Sequence, residues 1–224
     1  MKETQKQMAA ERAVEFVEDG MVLGLGTGST VYYAIKKLGR MVQQGLKVKG
    51  VPTSTTTGEL ARSLDIPLID LNSVDNIDLV IDGADEVDPH FNAIKGGGGA
   101  LLYEKIVASS SKKVVLVVDS GKMVETLGSF PLPVEVLSFC YVRVVEKLQQ
   151  KGWRAFTRKK DGGLFITDSG NVIVDLHLGK IEDPVELEVQ LNLIPGVIEN
   201  GLFLNMVNTV VVGKQQGAEV LHRE

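Results

Sequence analysis

Short β-branched and aliphatic runs alternate with helix-period stretches through the first half of the chain. Residues 21–25 predict a strand, then a glycine-rich turn, then a helix around residues 31–38. Residues 48–51 predict a second strand, followed by a hydroxyl-rich loop at 53–57 and a short helix through Leu64. Residues 67–69, 79–81 and 114–118 are the next three expected strands, with a helix inside 95–110. Strand and helix alternating at this spacing predict a mostly parallel sheet with helices on both faces.

The rhythm changes after Phe130-Pro131-Leu132-Pro133, where two prolines stiffen the chain and mark a boundary. Strands are expected at 134–136, 153–157, 165–167 and 172–176, the last two flanking the hairpin signal Asp168-Ser169-Gly170-Asn171. Helices are expected at 141–151 and 184–193, the latter capped by Asp183 with Pro184 in its first turn. Residues 196–203 read as extended. This order approximates a ferredoxin-like split βαβ unit, so residues 131–203 are expected to form a smaller α+β domain. Residues 209–212 are expected to return to the first sheet, giving a larger domain of 1–130 and 204–224.

Composition narrows the function classes. A net charge of −5 disfavours a general nucleic-acid role, because phosphate backbones select basic surfaces. No apolar run is long enough for a membrane helix, and the polar, helical N-terminal segment lacks a signal-peptide core. Cys140 is the single cysteine, which excludes an internal disulfide and suits a cytoplasmic setting. His90, His177 and His222 have no metal-ligand spacing, and no cofactor or metal is expected.

Several loops carry candidate chemistry. Four follow the first, second, fourth and fifth predicted strands, which places them on the carboxyl edge of the sheet, where ligands bind in open parallel sheets. GLGTGST at 24–30 offers glycines for close backbone approach, a helix N-terminus, and the hydroxyls of Thr27, Ser29 and Thr30. It is neither a dinucleotide fingerprint, since Ser29 stands where glycine is needed, nor a P-loop. The plainer reading is a tight turn with a hydroxyl cap. Residues 53–57 are five consecutive hydroxyls, which suit an anion or simply cap the next helix. In IDGADEVD, Asp82 and Asp85 follow a buried strand, where carboxylates accept from sugar hydroxyls or relay protons, or form an ordinary Asx turn. Lys122, in Asp119-Ser120-Gly121-Lys122, reaches the same edge, although surface lysines are common.

KGGGGALLYEKI begins at Lys95. Four glycines in a row make sense where backbone closes around a ligand, given the entropy lost on ordering them. Glu104 has Ala100, Leu101, Val107 and Ala108 at helical neighbour positions, with no basic partner among them. Desolvation on such a face suits a carboxylate to general base and acid work. The alternative is that Glu104 is the solvent-facing residue of a buried helix.

Taken in order, GLGTGST, DGADEVD, KGGGGALLYEKI, DSGK and the later stretch ELEVQLNLIPGVIENGLF resemble the A-type ribose-5-phosphate isomerase family across nearly the whole chain. The resemblance implies a Rossmann-like domain with a smaller α+β domain, homo-oligomeric and often dimeric assembly, and no metal. It implies interconversion of ribose 5-phosphate and ribulose 5-phosphate through an enediolate, in the non-oxidative pentose phosphate pathway. It assigns the base to Glu104. It assigns ligand binding to Thr27, Gly28, Ser29, Thr30, Asp82, Gly83, Ala84, Asp85, Lys95, Gly96, Gly97, Gly98 and Lys122. On this view Lys95 and the glycine N–H groups stabilise the enediolate, and Asp82 and Asp85 assist ring opening. Two other function classes fit the sequence less well. A sugar-phosphate sensor needs an output module, and a nicotinamide oxidoreductase needs the missing fingerprint.

Overall fold

The computed structural model describes residues 2–223. Met1 and Glu224, the outer ends of the expected larger domain, lie outside the described residues. In chain order the main elements are α1 (Lys2–Ala13), β1 (Val22–Leu25), α2 (Val31–Gln43), β2 (Lys49–Pro52), α3 (Thr55–Ser63) and β3 (Leu79–Gly83). There follow α4 (Leu101–Ser109), β4 (Val114–Asp119), β5 (Leu132–Val136), α5 (Tyr141–Gln150), β6 (Arg154–Thr157) and β7 (Val172–His177). The chain ends with α6 (Pro184–Asn192), β8 (Val197–Asn200), β9 (Thr209–Gly213) and β10 (Ala218–His222).

Two compact units emerge. The first holds Met1–Ala84, Tyr103–Met123 and Asn205–Glu224; the second holds Asp85–Leu102 and Val124–Leu204. Residues 85–102 and 124–130, placed in the larger domain by the sequence boundary, thus pack with the smaller unit. The expected boundary at residues 130–133 lies inside the second unit, where β5 already includes Pro133.

The first unit is a six-stranded sheet in the order β10-β9-β4-β3-β1-β2. All pairs are parallel except the edge pair β9–β10. Its five parallel strands follow the doubly wound, Rossmann-like order 2-1-3-4-5, whose switch point falls between β1 and β3. Alternation along the strands buries both faces. Leu23, Leu25, Leu79, Ile81, Val115 and Val117 pack with α1 and α2. On the other face, Val80 and Val107 of α4 close over Gly24. α1 packs on the sheet through Ala9, Ala10 and Ala13, all fully buried small residues that allow close approach.

The second unit contains a four-stranded antiparallel sheet, β8-β5-β7-β6, in the βαββαβ sequence of a ferredoxin-like fold. Val144, Leu148, Leu187 and Leu191 of α5 and α6 cover Val134, Val136, Val174 and Leu176. The same unit carries a small three-stranded sheet from Glu86–Val87, Ala93–Ile94 and Leu202–Phe203.

Three local expectations are corrected. Residues 67–69 form only a bridge, Leu68 to Gly50, and 165–167 only a bridge, Ile166 to Val172. In each, only the central residue comes into register with a neighbouring strand. Residues 55–57 are not loop but the first turn of α3, because the Ser54 hydroxyl accepts from Thr57 N–H and starts the helix.

Candidate functional site

In the first unit, the loops after β1, β2, β3 and β4 all leave the carboxyl ends of parallel strands. The switch point lies between β1 and β3, and the chain stitches it together there. Gly26 N–H donates to Ile81 O at 3.0 Å. Asp82, at 2% exposure, accepts through Oδ1 from Thr27 N–H at 3.1 Å and from Gly83 N–H at 2.7 Å. A carboxylate held by two backbone donors is fixed in orientation.

The hydroxyls predicted in two separate loops converge on Thr27. Its Oγ1 lies 2.8 Å from Thr53 Oγ1, donates to Ser54 Oγ at 2.8 Å, and lies 3.1 Å from Thr57 Oγ1. Thr57 and Thr53 donate to the carbonyls of Gly26 and Leu25. Thr27 therefore braces the loop, which the sequence pattern alone did not distinguish from direct ligand contact. Gly28 and Ser29 are exposed at the start of α2, and Thr30 makes no side-chain cap. That arrangement leaves a hydroxyl-bearing turn at the positive end of a thirteen-residue helix. A cavity of about 400 Å³ opens there, lined by Gly26, Thr27, Gly28, Ser29 and Thr57. A larger cavity of about 590 Å³, bordered by Pro52, Arg62, Ile69, Tyr103 and Ile106, contains none of the buried polar side chains and has less chemistry to offer.

Glu104 is 4% exposed, and Val107 and Ala108 on its face of α4 are buried. The solvent-facing alternative does not hold: Tyr103 and Ile106 face outward instead. Ala84 is half-buried, and Lys122 ends the turn Ser120–Lys122, also half-buried. Asp119 braces that turn by accepting from Gly121 N–H at 3.1 Å.

The second unit holds the remaining candidates. Asp85 N–H donates to Ile94 O, and its Oδ2 accepts from Gly97 N–H at 2.7 Å. Lys95 is 2% exposed, with its ammonium 5.3 Å from the centre of the Phe203 ring. Gly96 and Gly99 have φ of 99° and 82°, which only glycine adopts without strain, and Gly99 N–H closes the turn on Gly96 O at 2.9 Å.

Sequence reasoning missed Arg158. Its Nη1 donates to both Gly96 O and Gly97 O at 2.9 Å. In the sequence it sits beside Lys159 and Lys160 and looks like part of a solvated basic run. Among the described residues, no group of three or more His, Cys, Asp and Glu side chains is placed to hold a metal.

A doubly wound sheet with a braced glycine–hydroxyl turn and a buried carboxylate at its switch point defines an α/β protein equipped for a small anionic, hydroxylated ligand. The profile of ribose 5-phosphate isomerase A (phosphoriboisomerase A) matches residues 49–217, and the chain belongs to that family. It is similar to ribose-5-phosphate isomerase A of Streptococcus gordonii, at 49% identity over 98% of both chains. The Levilactobacillus brevis relative is 52% identical over 97% of this chain and 96% of its own. Among solved structures, a D-ribose-5-phosphate isomerase in complex with phospho-erythronic acid superimposes with a TM-score of 0.96 at 43% identity, covering both chains fully. The Plasmodium falciparum ribose 5-phosphate isomerase gives 0.96 at 39%, covering 99% of each chain.

Proposed function

We propose that Glu104 is the proton-transfer base of this chain, moving a proton between C1 and C2 of a five-carbon sugar phosphate. The chain interconverts D-ribose 5-phosphate and D-ribulose 5-phosphate, the activity of its family. The observation that carries Glu104 is its burial on an apolar helix face directly after the glycine turn. One carboxylate there takes the C2 proton, leaves an enediolate, and returns the proton at C1. Positioned general bases contribute about 10²–10⁴-fold.

The other roles follow from chemistry. Lys95 and the N–H groups of Gly96 and Gly98 are the donors for the enediolate oxygens, while the Gly97 N–H is held by Asp85 Oδ2. Such donors matter most when charge develops, and losing one costs on the order of 10²-fold. Asp82 and Asp85, with Gly83 and Ala84 between them, serve ring opening and the sugar hydroxyls. Thr27, Gly28, Ser29 and Thr30, with Lys122, anchor the phosphate. Phospho-erythronic acid, named with a solved relative, is expected to bind here too. A cytoplasmic location and a homo-oligomeric state belong to the same proposal. The exposed apolar side chains Val185 and Val189 on α6 and Leu193 at its C-cap support self-association.

Glu104→Gln tests the base. In a folded variant, exchange of the substrate C2 proton with solvent is expected to vanish while sugar-phosphate binding persists. Near-normal exchange removes Glu104 from the role.

A further inference from the structure

We propose that Arg158, clamped by Asp175, is a positioning residue that sets the direction of the Gly98 N–H in the glycine turn. The inference rests on the reading of the Gly98 N–H as a donor to the substrate.

The guanidinium is divided between two tasks. Its Nε and Nη2 donate to the two carboxylate oxygens of Asp175 at 2.9 and 2.5 Å. Its Nη1 donates to the carbonyls of Gly96 and Gly97, both at 2.9 Å. Four of its five N–H groups are thus assigned, and the fork geometry leaves the group little freedom. Both side chains are largely buried, at 15% and 18% exposure. Phe165 packs beneath, its ring 5.7 Å from the guanidinium carbon and against Gly99.

Peptide planarity converts this clamp into donor orientation. In a trans peptide the carbonyl and the following N–H point opposite ways. The Gly96 carbonyl faces Arg158, and the Gly97 N–H accordingly faces away, onto Asp85 Oδ2. The Gly97 carbonyl also faces Arg158. The Gly98 N–H must therefore point away from Arg158 as well. Gly98 is exposed, and a Cβ built on it would meet nothing within 4 Å. The clamp aims that donor from a peptide plane whose far side is charged, which also polarises it.

The turn needs such a device. Residues 96–99 close a β-turn through Gly99 N–H to Gly96 O. The central peptide of a β-turn has two flips, which differ in where its N–H points. With glycine at both central positions, side-chain sterics do not select between them. Arg158 selects one by holding the carbonyl. Lysine cannot substitute, since one ammonium cannot hold a carboxylate fork and two carbonyls together.

The test uses the full chain. Arg158→Lys and Asp175→Asn are expected to lower kcat by about tenfold or more, with KM changed by less than about threefold, because the oriented donor acts on developing charge. Affinity for phospho-erythronic acid is expected to fall with kcat, while inhibition by inorganic phosphate, which reads only the anchoring turn, stays unchanged. For Arg158→Ala, guanidinium chloride below denaturing concentration should restore activity and ammonium chloride should not. Folded variants with unaltered kcat overturn the proposal. So does a parallel loss of phosphate inhibition, or absence of guanidinium rescue. Proton exchange in Glu104→Gln is measured separately, so failure of the base assignment and failure of the clamp are told apart.

Discussion

A single hydrogen atom at Gly26 shows how little space the switch point leaves. A Cβ there would lie 2.2 Å from Asp82 Oδ1 and 2.6 Å from the Asp82 Cα. The carboxylate can turn aside, but the backbone of a central strand does not move without breaking its ladder. Gly26→Ala is therefore expected to break the Thr27 N–H bond to Asp82, destabilise by about 1–3 kcal/mol as overpacking does, and lower kcat/KM by at least about tenfold. Denaturant unfolding and steady-state kinetics check the two effects. Glu104 was legible at this scale, because helical spacing alone lists its apolar neighbours. Arg158 was not, because its partners Gly96 and Asp175 are 62 and 17 residues away. Nothing local separates it from the lysines that follow.

At the scale of elements, β5 contains a charge where a central strand usually has none. Glu135 is 1% exposed, and its Oε1 accepts from Thr167 Oγ1 at 2.9 Å and Asn171 Nδ2 at 3.0 Å. Burial raises its pKa above the ordinary 4.5, and the two hydrogen bonds only partly oppose this. The folded state thus binds the proton more tightly than the unfolded one. This residue's contribution is most favourable below about pH 4.5, declines as pH rises toward the raised value, and is flat beyond. Glu135→Gln keeps an oxygen acceptor and removes the charge. It is expected to raise the melting midpoint at neutral pH by a few degrees and to abolish that pH-dependent decline, as thermal melts across the acid range would reveal. The turn that donates to Glu135 was read from Asp168-Ser169-Gly170-Asn171, and it does form, with Thr167 N–H donating to Asn171 O at 2.9 Å. Its task of satisfying a buried acid on another strand depends on register, which composition does not specify. The opposite case is α6, whose Asp183 cap and Pro184 are local chemistry and stand as expected.

For the molecule as a whole, exposed apolar surface is the feature most in need of an occupant. Phe139 is 93% exposed, and Val185 and Val189 on the outer face of α6 are followed at the same spacing by Leu193 at its C-cap. Patches of this sort on water-soluble chains mark association surfaces. In light scattering after size exclusion, the chain is expected to show at least twice its monomer mass. Val189→Glu with Leu193→Glu is expected to lower that mass about twofold without loss of helix content, while Phe156→Glu, on β6, leaves it unchanged. A monomeric wild-type chain would contradict the homo-oligomeric proposal. The alternation of strands and helices, the loops at the carboxyl edge, and the apolar surroundings of Glu104 were determined by the sequence alone, because periodicity, capping and turn chemistry act between near neighbours. Strand order, the convergence of Thr27 with Thr53, Ser54 and Thr57, and the clamp of Arg158 on the glycine turn were decided only by the tertiary structure. Those contacts join distant segments, and their energies exist only once the chain has closed the loops between them.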